Sequence, residues 1–247
     1  QKSIMDRVYD SFWGSRRAMQ TAQYWSSNQY SNESRYQYRE GTANGAWASF
    51  YAGPLQDLQT IIDLNTDSPD DYAGYGDNAN QIAVAQLLQA WTYQHLTDAF
   101  GAIPMSEALQ GGDNTTPTYD SQEAVYNSLL STIDGALSGM NISGAGPQGD
   151  QVYGGDMAMW AKFGNSLKLR VAMRMADANP AAAQDAAEAA LASGTLIAGN
   201  ADNALFSYLS GAPNNNPINE DAKTRNDFAA SNTMVDYLAS LNDPRMG

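Results

Sequence analysis

Four kinds of side chain in this sequence could do chemistry, and three of them fail on spacing or company. His95 is the only histidine and there is no cysteine, so disulfides, iron–sulfur clusters, cysteine-rich zinc sites and multi-histidine metal centres are excluded. A Ser-His-Asp triad would have to use His95 from a helical face shared with Val84, Leu88 and Trp91, where a packed core histidine is the ordinary outcome. Gly144-Ala145-Gly146-Pro147-Gln148-Gly149 spells GxGxxG. It follows a helix rather than a strand, leads into more Gly-rich loop and loses an amide to proline, so it is no cradle for a dinucleotide. Asp63-x-Asn65-x-Asp67 with Asp71 has the oxygen-ligand spacing that opens an EF-hand-type calcium loop. Ser68 replaces the turn glycine and Gly74 stands where a bidentate acid is needed, so calcium is a weak expectation and no other cofactor is expected. Paired carboxylates for glycoside hydrolysis need no short motif, and no pair stands out.

The fourth kind is aromatic. Tyr24, Trp25, Tyr30, Tyr36 and Tyr38 lie among Ser, Asn and Gln in residues 21–44, and Tyr72 and Tyr75 lie in the acidic, turn-rich residues 63–78. Flat rings cover the apolar faces of sugars while neighbouring amides and carboxylates take the hydroxyl groups. For one tyrosine the plainer role is to staple a loop to the body; several together on loops point to a ligand. Trp25, Tyr30, Tyr36, Tyr72 and Tyr75 are the expected ligand-binding residues.

The elements that must hold these rings are helical. Apolar residues recur at helical spacing over residues 3–20 (Met5, Val8, Phe12), 45–64 (Trp47, Tyr51, Leu55, Leu58, Ile62) and 79–100 (Val84, Leu88, Trp91, His95), the last stopped by Gly101. Pro54 requires a kink or a helix start. Asp120 with Glu123 reads as a capping box for a fourth helix carrying Val125, Leu129 and Ile133. Trp160, Phe163, Leu167 and Val171 mark a fifth over residues 156–178. Asn179-Pro180 opens an alanine-rich sixth ending at Ser193-Gly194, and a short helix covers residues 229–240. Residues 21–44 read as a long ordered loop, and strand signals are sparse. The expected fold is all-α, a single domain over residues 1–247 built of TPR-like stacked helical hairpins with long irregular aromatic loops.

The chain has 27 acidic and 13 basic residues in 247, a formal charge of -14. No Lys or Arg occurs between Arg39 and Lys162, so residues 41–161 form an anionic block. Such a chain repels nucleic acid, and polyanionic glycans with it. No apolar run approaches the ~20 residues of a membrane helix.

Residues 87–109, LLQAWTYQHLTDAFGAIPMSEAL, resemble the helix-plus-turn segment of SusD/RagB-like outer-membrane lipoproteins of Bacteroidetes. WASFYAGPLQDLQTII (47–62), WAKFGNSLKLRVAMRM (160–175) and LNDPR (241–245) match the family in the same order. The resemblance implies TPR-like helical pairs and a non-catalytic cell-surface subunit on the extracellular face of the outer membrane. It implies capture of oligosaccharides, or in some members peptides, for import through a SusC-like TonB-dependent transporter. Family members are longer and lipidated near the N-terminus, so the chain is expected to be truncated at both ends, with membrane contact only through a lipid anchor it lacks. Ala102 and Met105 depart from the family's Asp and Tyr, and no family binding residue is carried over by position. A weaker alternative is a helical protein–protein interaction module using Lys168, Arg170 and Arg174, whose plainer role is to pair with acids.

Overall fold

The computed structural model describes residues 1–246. In chain order its α-helices are α1 (Lys2–Val8), α2 (Glu40–Phe50), α3 (Gln56–Asp67), α4 (Pro69–Tyr72), α5 (Asn78–Phe100), α6 (Gln122–Gly139), α7 (Met157–Arg174), α8 (Pro180–Ala192), α9 (Pro217–Ala222) and α10 (Asn232–Ser240). The strands are β1 (Trp25–Ser27) and β2 (Phe228–Ala230). The chain divides into two compact units. Unit 1 is Gln1 with Tyr51–Phe206, and unit 2 is Lys2–Phe50 with the segment from Ser207 onward.

In unit 1, α3 packs on α5, α5 on α6, α6 on α7 and α7 on α8. This is the stacked-hairpin arrangement that the periodicity predicts. At its centre α5 is buried on nearly every side, well beyond the face of Val84 and Leu88. Two of its buried polar side chains bond to backbone: Thr92 donates to the Leu88 carbonyl at 2.8 Å, and Asn80 donates to the Asn141 and Ala145 carbonyls at 2.9 and 3.1 Å. Asp77 caps its start, accepting from the Ala79 amide, and Gly101 at φ 77° ends it. Asp156 and Asn179 cap α7 and α8, with Pro180 in the first turn of α8.

Three expectations in this unit change. The cap of α6 is Ser121, which accepts from the Ala124 amide, and not Asp120. Asp120 instead accepts from the Met105 and Ser106 amides at 2.9 and 2.8 Å, tying the post-α5 turn to the start of α6. Pro54 sits in a π-helical turn, Tyr51–Leu55, whose wider i→i+5 spacing absorbs the missing amide. Residues 63–78 are less loop than expected, since α3 reaches Asp67, and α4 and a 3-10 turn at Ala73–Tyr75 follow.

Unit 2 departs further. Residues 3–20 are not one helix. After α1 the Asp10 carboxylate accepts from the Phe12 and Trp13 amides at 3.0 and 2.5 Å, and a π-helix, Trp13–Met19, begins. Gly14 is required there, because a Cβ would stand 2.2 Å from the Val8 carbonyl oxygen. Residues 21–44 are not one long loop either, since they hold β1, a 3-10 turn at Glu33–Arg35 and the start of α2. β1 pairs antiparallel with β2 in the register Trp25↔Ala230, Ser26↔Ala229, Ser27↔Phe228. Strands of three residues are too short to show alternation. Glu33, buried, takes a two-pronged bond from Arg39 at 2.7 and 3.0 Å. The last helix starts at Asn232, capped by Ser231, and the short α9 has no counterpart in the periodicity.

The charge divides along the same lines. Unit 2 holds nine basic and nine acidic residues, whereas unit 1 holds four basic and eighteen acidic ones and so carries the whole -14.

Candidate functional site

The site begins with Trp25. Pairing with β2 places its ring, half-buried, against Phe228, with centroids 5.4 Å apart and planes at 38°. The two rings belong to one wall of a cleft of about 270 Å³ in unit 2. The other wall is the α9 side: Ile218, Asp221, Ala222 and Arg225 recur at helical spacing and all line the cleft. Asn216 caps α9 and Pro217 opens it, so this stripe is set by local sequence.

At the cleft lies a charge cluster in which Asp227 and Arg16 are buried and Arg225 is exposed. Asp227 is 6% exposed. Its Oδ2 accepts from Arg16 at 3.1 Å and from Arg225 at 2.6 Å. Arg16 is 3% exposed, and its Nε has no hydrogen-bond partner. Its guanidinium lies over the rings of Phe12, Tyr30 and Phe228 at 4.7, 5.0 and 5.9 Å. Arg225 stands 5.5 Å over Tyr30. The bond to Asp227 holds Arg225 above its ordinary pKa, so it is a cation at any working pH. The cleft thus offers an aromatic wall opposite a wall with an acceptor, Asp221, and a donor, Arg225, that Asp227 holds in place, the makings of a site that covers one face of a sugar and bonds its edge.

Of the five expected ligand residues, Trp25 and Tyr30 come together around Arg225. Tyr36, also in unit 2, accepts from Gln23 Nε2 at 2.7 Å and packs edge-on against Tyr38, 6.2 Å away, which Arg17 covers at 3.7 Å. Tyr72 and Tyr75 are in unit 1, paired at 6.4 Å. The residues missed by sequence reasoning are Arg16, Asp221, Arg225, Asp227 and Phe228. The spacing of Ile218, Asp221, Ala222 and Arg225 was the one available signal.

The calcium spacing does not form a loop. Asp63, Asn65 and Asp67 lie on α3 and Asp71 on α4. The buried Asn65 amide donates to the Ile61 carbonyl at 2.9 Å, and no cluster of three or more His, Cys, Asp or Glu suited to a metal occurs among the described residues. A helix holds these oxygens apart, whereas a calcium loop curls them around one point. His95 stacks on Trp91 at 6.1 Å, and burial pushes its pKa down. The Gly144–Gly149 motif packs beside α5, where the Ala145 carbonyl accepts from the Asp77 amide at 3.0 Å. Lys168 pairs with Asp134 at 2.6 Å and Arg174 with Asp98 at 2.8 Å, while Arg170 donates to the Gln94 amide oxygen at 2.9 and 2.6 Å. The positive charge behind the interaction-module alternative is therefore largely engaged within unit 1.

A SusD-like family model described as "Starch-binding associating with outer membrane" matches residues 1–247. No curated protein matches the chain. A solved chitin-binding protein is 28% identical at a TM-score of 0.79, covering 100% of this chain and 54% of its own. A SusD-like protein from Bacteroides thetaiotaomicron is 25% identical at 0.79, covering 98% and 51%. A chitin-binding SusD homolog from Flavobacterium johnsoniae is 22% identical at 0.80, covering 99% and 52%. The chain spans about half the length of these structures.

Proposed function

Because the chain belongs to the SusD-like family of starch-binding proteins that associate with the outer membrane, we propose that it is a non-catalytic, cell-surface subunit that captures oligosaccharides. Import would run through a SusC-like TonB-dependent transporter, with lipid anchoring at the extracellular face of the outer membrane. No described helix is long and apolar enough to cross a membrane. The observation that carries the glycan reading is the half-exposed Trp25 ring facing Asp221 and Arg225 across the cleft. The chitin-binding neighbour at 28% identity supports the same ligand class.

Affinity electrophoresis in gels containing soluble starch or glycol chitin tests this. Retardation is expected for the protein and its loss, at least about tenfold in affinity, for Trp25→Ala, since stacking side chains dominate such sites. Tyr72→Ala, on the aromatic pair of unit 1, is expected to bind as before. Loss on Tyr72→Ala with retention on Trp25→Ala would move the site to unit 1.

The second reading, capture of oligopeptides, has one observation behind it. The Asp227 carbonyl accepts from the Asn28 amide and the Ser231 amide donates to the Tyr24 carbonyl, so Phe228 and Ala230 direct their backbone groups to the outer edge of a two-stranded sheet. An extended peptide could add a strand there. Mass spectrometry of material bound to the purified protein separates the two readings.

A further inference from the structure

Taking the Trp25 cleft as the glycan site, we propose that it selects neutral glycans, and that Asp221 and Arg225 are the residues that set this selectivity. The charged side chains lining the cleft are Asp221, Arg225 and Asp227, and Arg16 backs Asp227 from behind. Two cations thus meet two carboxylates. The balance is unevenly placed. Asp227 is buried and serves both guanidiniums, which leaves the inner cluster of Arg16, Arg225 and Asp227 with one positive charge in excess. Asp221, partly exposed on the same wall as Arg225, is the group that offsets it.

Asp221 and Arg225 are four residues apart, the Arg225 amide donates to the Asp221 carbonyl at 2.9 Å one turn past the body of α9, and both residues line the cleft. A pair of neutral sugar substituents, each able to donate and accept, can use both at once: Asp221 accepts and Arg225 donates. A carboxylate on the sugar meets Asp221, and an ammonium meets Arg225. Either approach puts like charges together, a repulsion that low ionic strength leaves unscreened. Tyr30 under Arg225 and the shared Asp227 keep the guanidinium from swinging away from an unwelcome cation.

Matched pairs of probes test this at low ionic strength, with each variant checked by its melting curve: soluble starch against carboxymethyl starch, and chitin hexasaccharide against the chitosan hexamer. The neutral member of a pair is expected to bind about tenfold more tightly. Asp221→Asn is expected to close or reverse the gap for carboxymethyl starch, and Arg225→Gln the gap for chitosan. Arg225→Lys keeps the charge and should keep the original ranking. Equal binding of charged and neutral members by the protein, or an unchanged ranking in both charge-removing variants, overturns the proposal. If that happens while Trp25→Ala still abolishes binding, the cleft remains the glycan site and only the selectivity argument fails. Unaltered binding by Trp25→Ala, or no binding to any of the four probes, overturns the site together with the selectivity.

Discussion

Asp150 shows how much one carboxylate can organise. It accepts from Gln1 Nε2 at 2.6 Å, from the Val152 and Gly155 amides at 2.9 Å each, and from the indole of the fully buried Trp160 at 2.8 Å. Burial alone would raise its pKa, but these donors outweigh burial and hold it below the usual carboxylate value. The ionised form is therefore favoured by folding. Its contribution is full above the unfolded value of about 3.9 and is lost as pH falls through the lower folded value. Asp150→Ala strands the Trp160 indole and the Val152, Tyr153 and Gly155 amides, and should cost about 3 kcal/mol in denaturant titration at neutral pH. Asp150→Asn should flatten the dependence of melting temperature on pH below about 4, and an unchanged acid limb would show that other carboxylates control it. Nothing in the sequence marks Asp150, because its partners are set by a Gly-rich turn. Trp25 at the cleft, and Tyr30 under Arg225, were legible as aromatics in polar company. Their organising partners were not, since Arg16 and Asp227 lie 211 positions apart.

The Gly-rich connection after α6 earns its glycines by close approach. A Cβ at Gly146 would stand 2.0 Å from the Gly155 carbonyl oxygen, and one at Gly76 would stand 2.5 Å from that of Gly146. Backbone has to move to admit either. Gly146→Ala is expected to destabilise unit 1 by about 2 kcal/mol or more, and to raise amide exchange at the start of α5, where the Asp77 amide donates to Ala145. Exchange confined to the loop itself would contradict that coupling. The helical elements were the legible part of this fold because their signals are local: Asp156 before α7, Asn179-Pro180 before α8 and Gly101 after α5 each act within a turn. The errors share a cause too. Ser121 and Asp120 are adjacent candidates for one cap, and only the pull of the Met105 and Ser106 amides on Asp120 decides between them. Three-residue strands offer too few positions for alternation to emerge, and the stripe from Ile218 to Arg225 mixes apolar with charged residues, so hydrophobicity does not mark α9.

At the scale of the molecule, the separation of charge has a measurable effect. Unit 1 carries eighteen acids against four bases and repels itself, while unit 2 is balanced. Raising NaCl from about 10 mM to about 150 mM shortens the screening length from about 30 Å to about 8 Å. Hydrogen exchange should therefore slow in α3 and α5–α8 and stay unchanged in the β1–β2 ribbon. Equal slowing throughout would mean that the net charge acts non-specifically. Unit 2 has a further property, in that its two segments flank all of Tyr51–Phe206 and its strands pair residues about two hundred positions apart. A chain emerging from the ribosome has completed every residue of the helical stack before Phe228 exists. The stack can begin to fold as it is made, whereas the Trp25 cleft must wait for the final stretch. A nascent chain halted short of β2 would carry the helical body without the cleft between Trp25 and the α9 side.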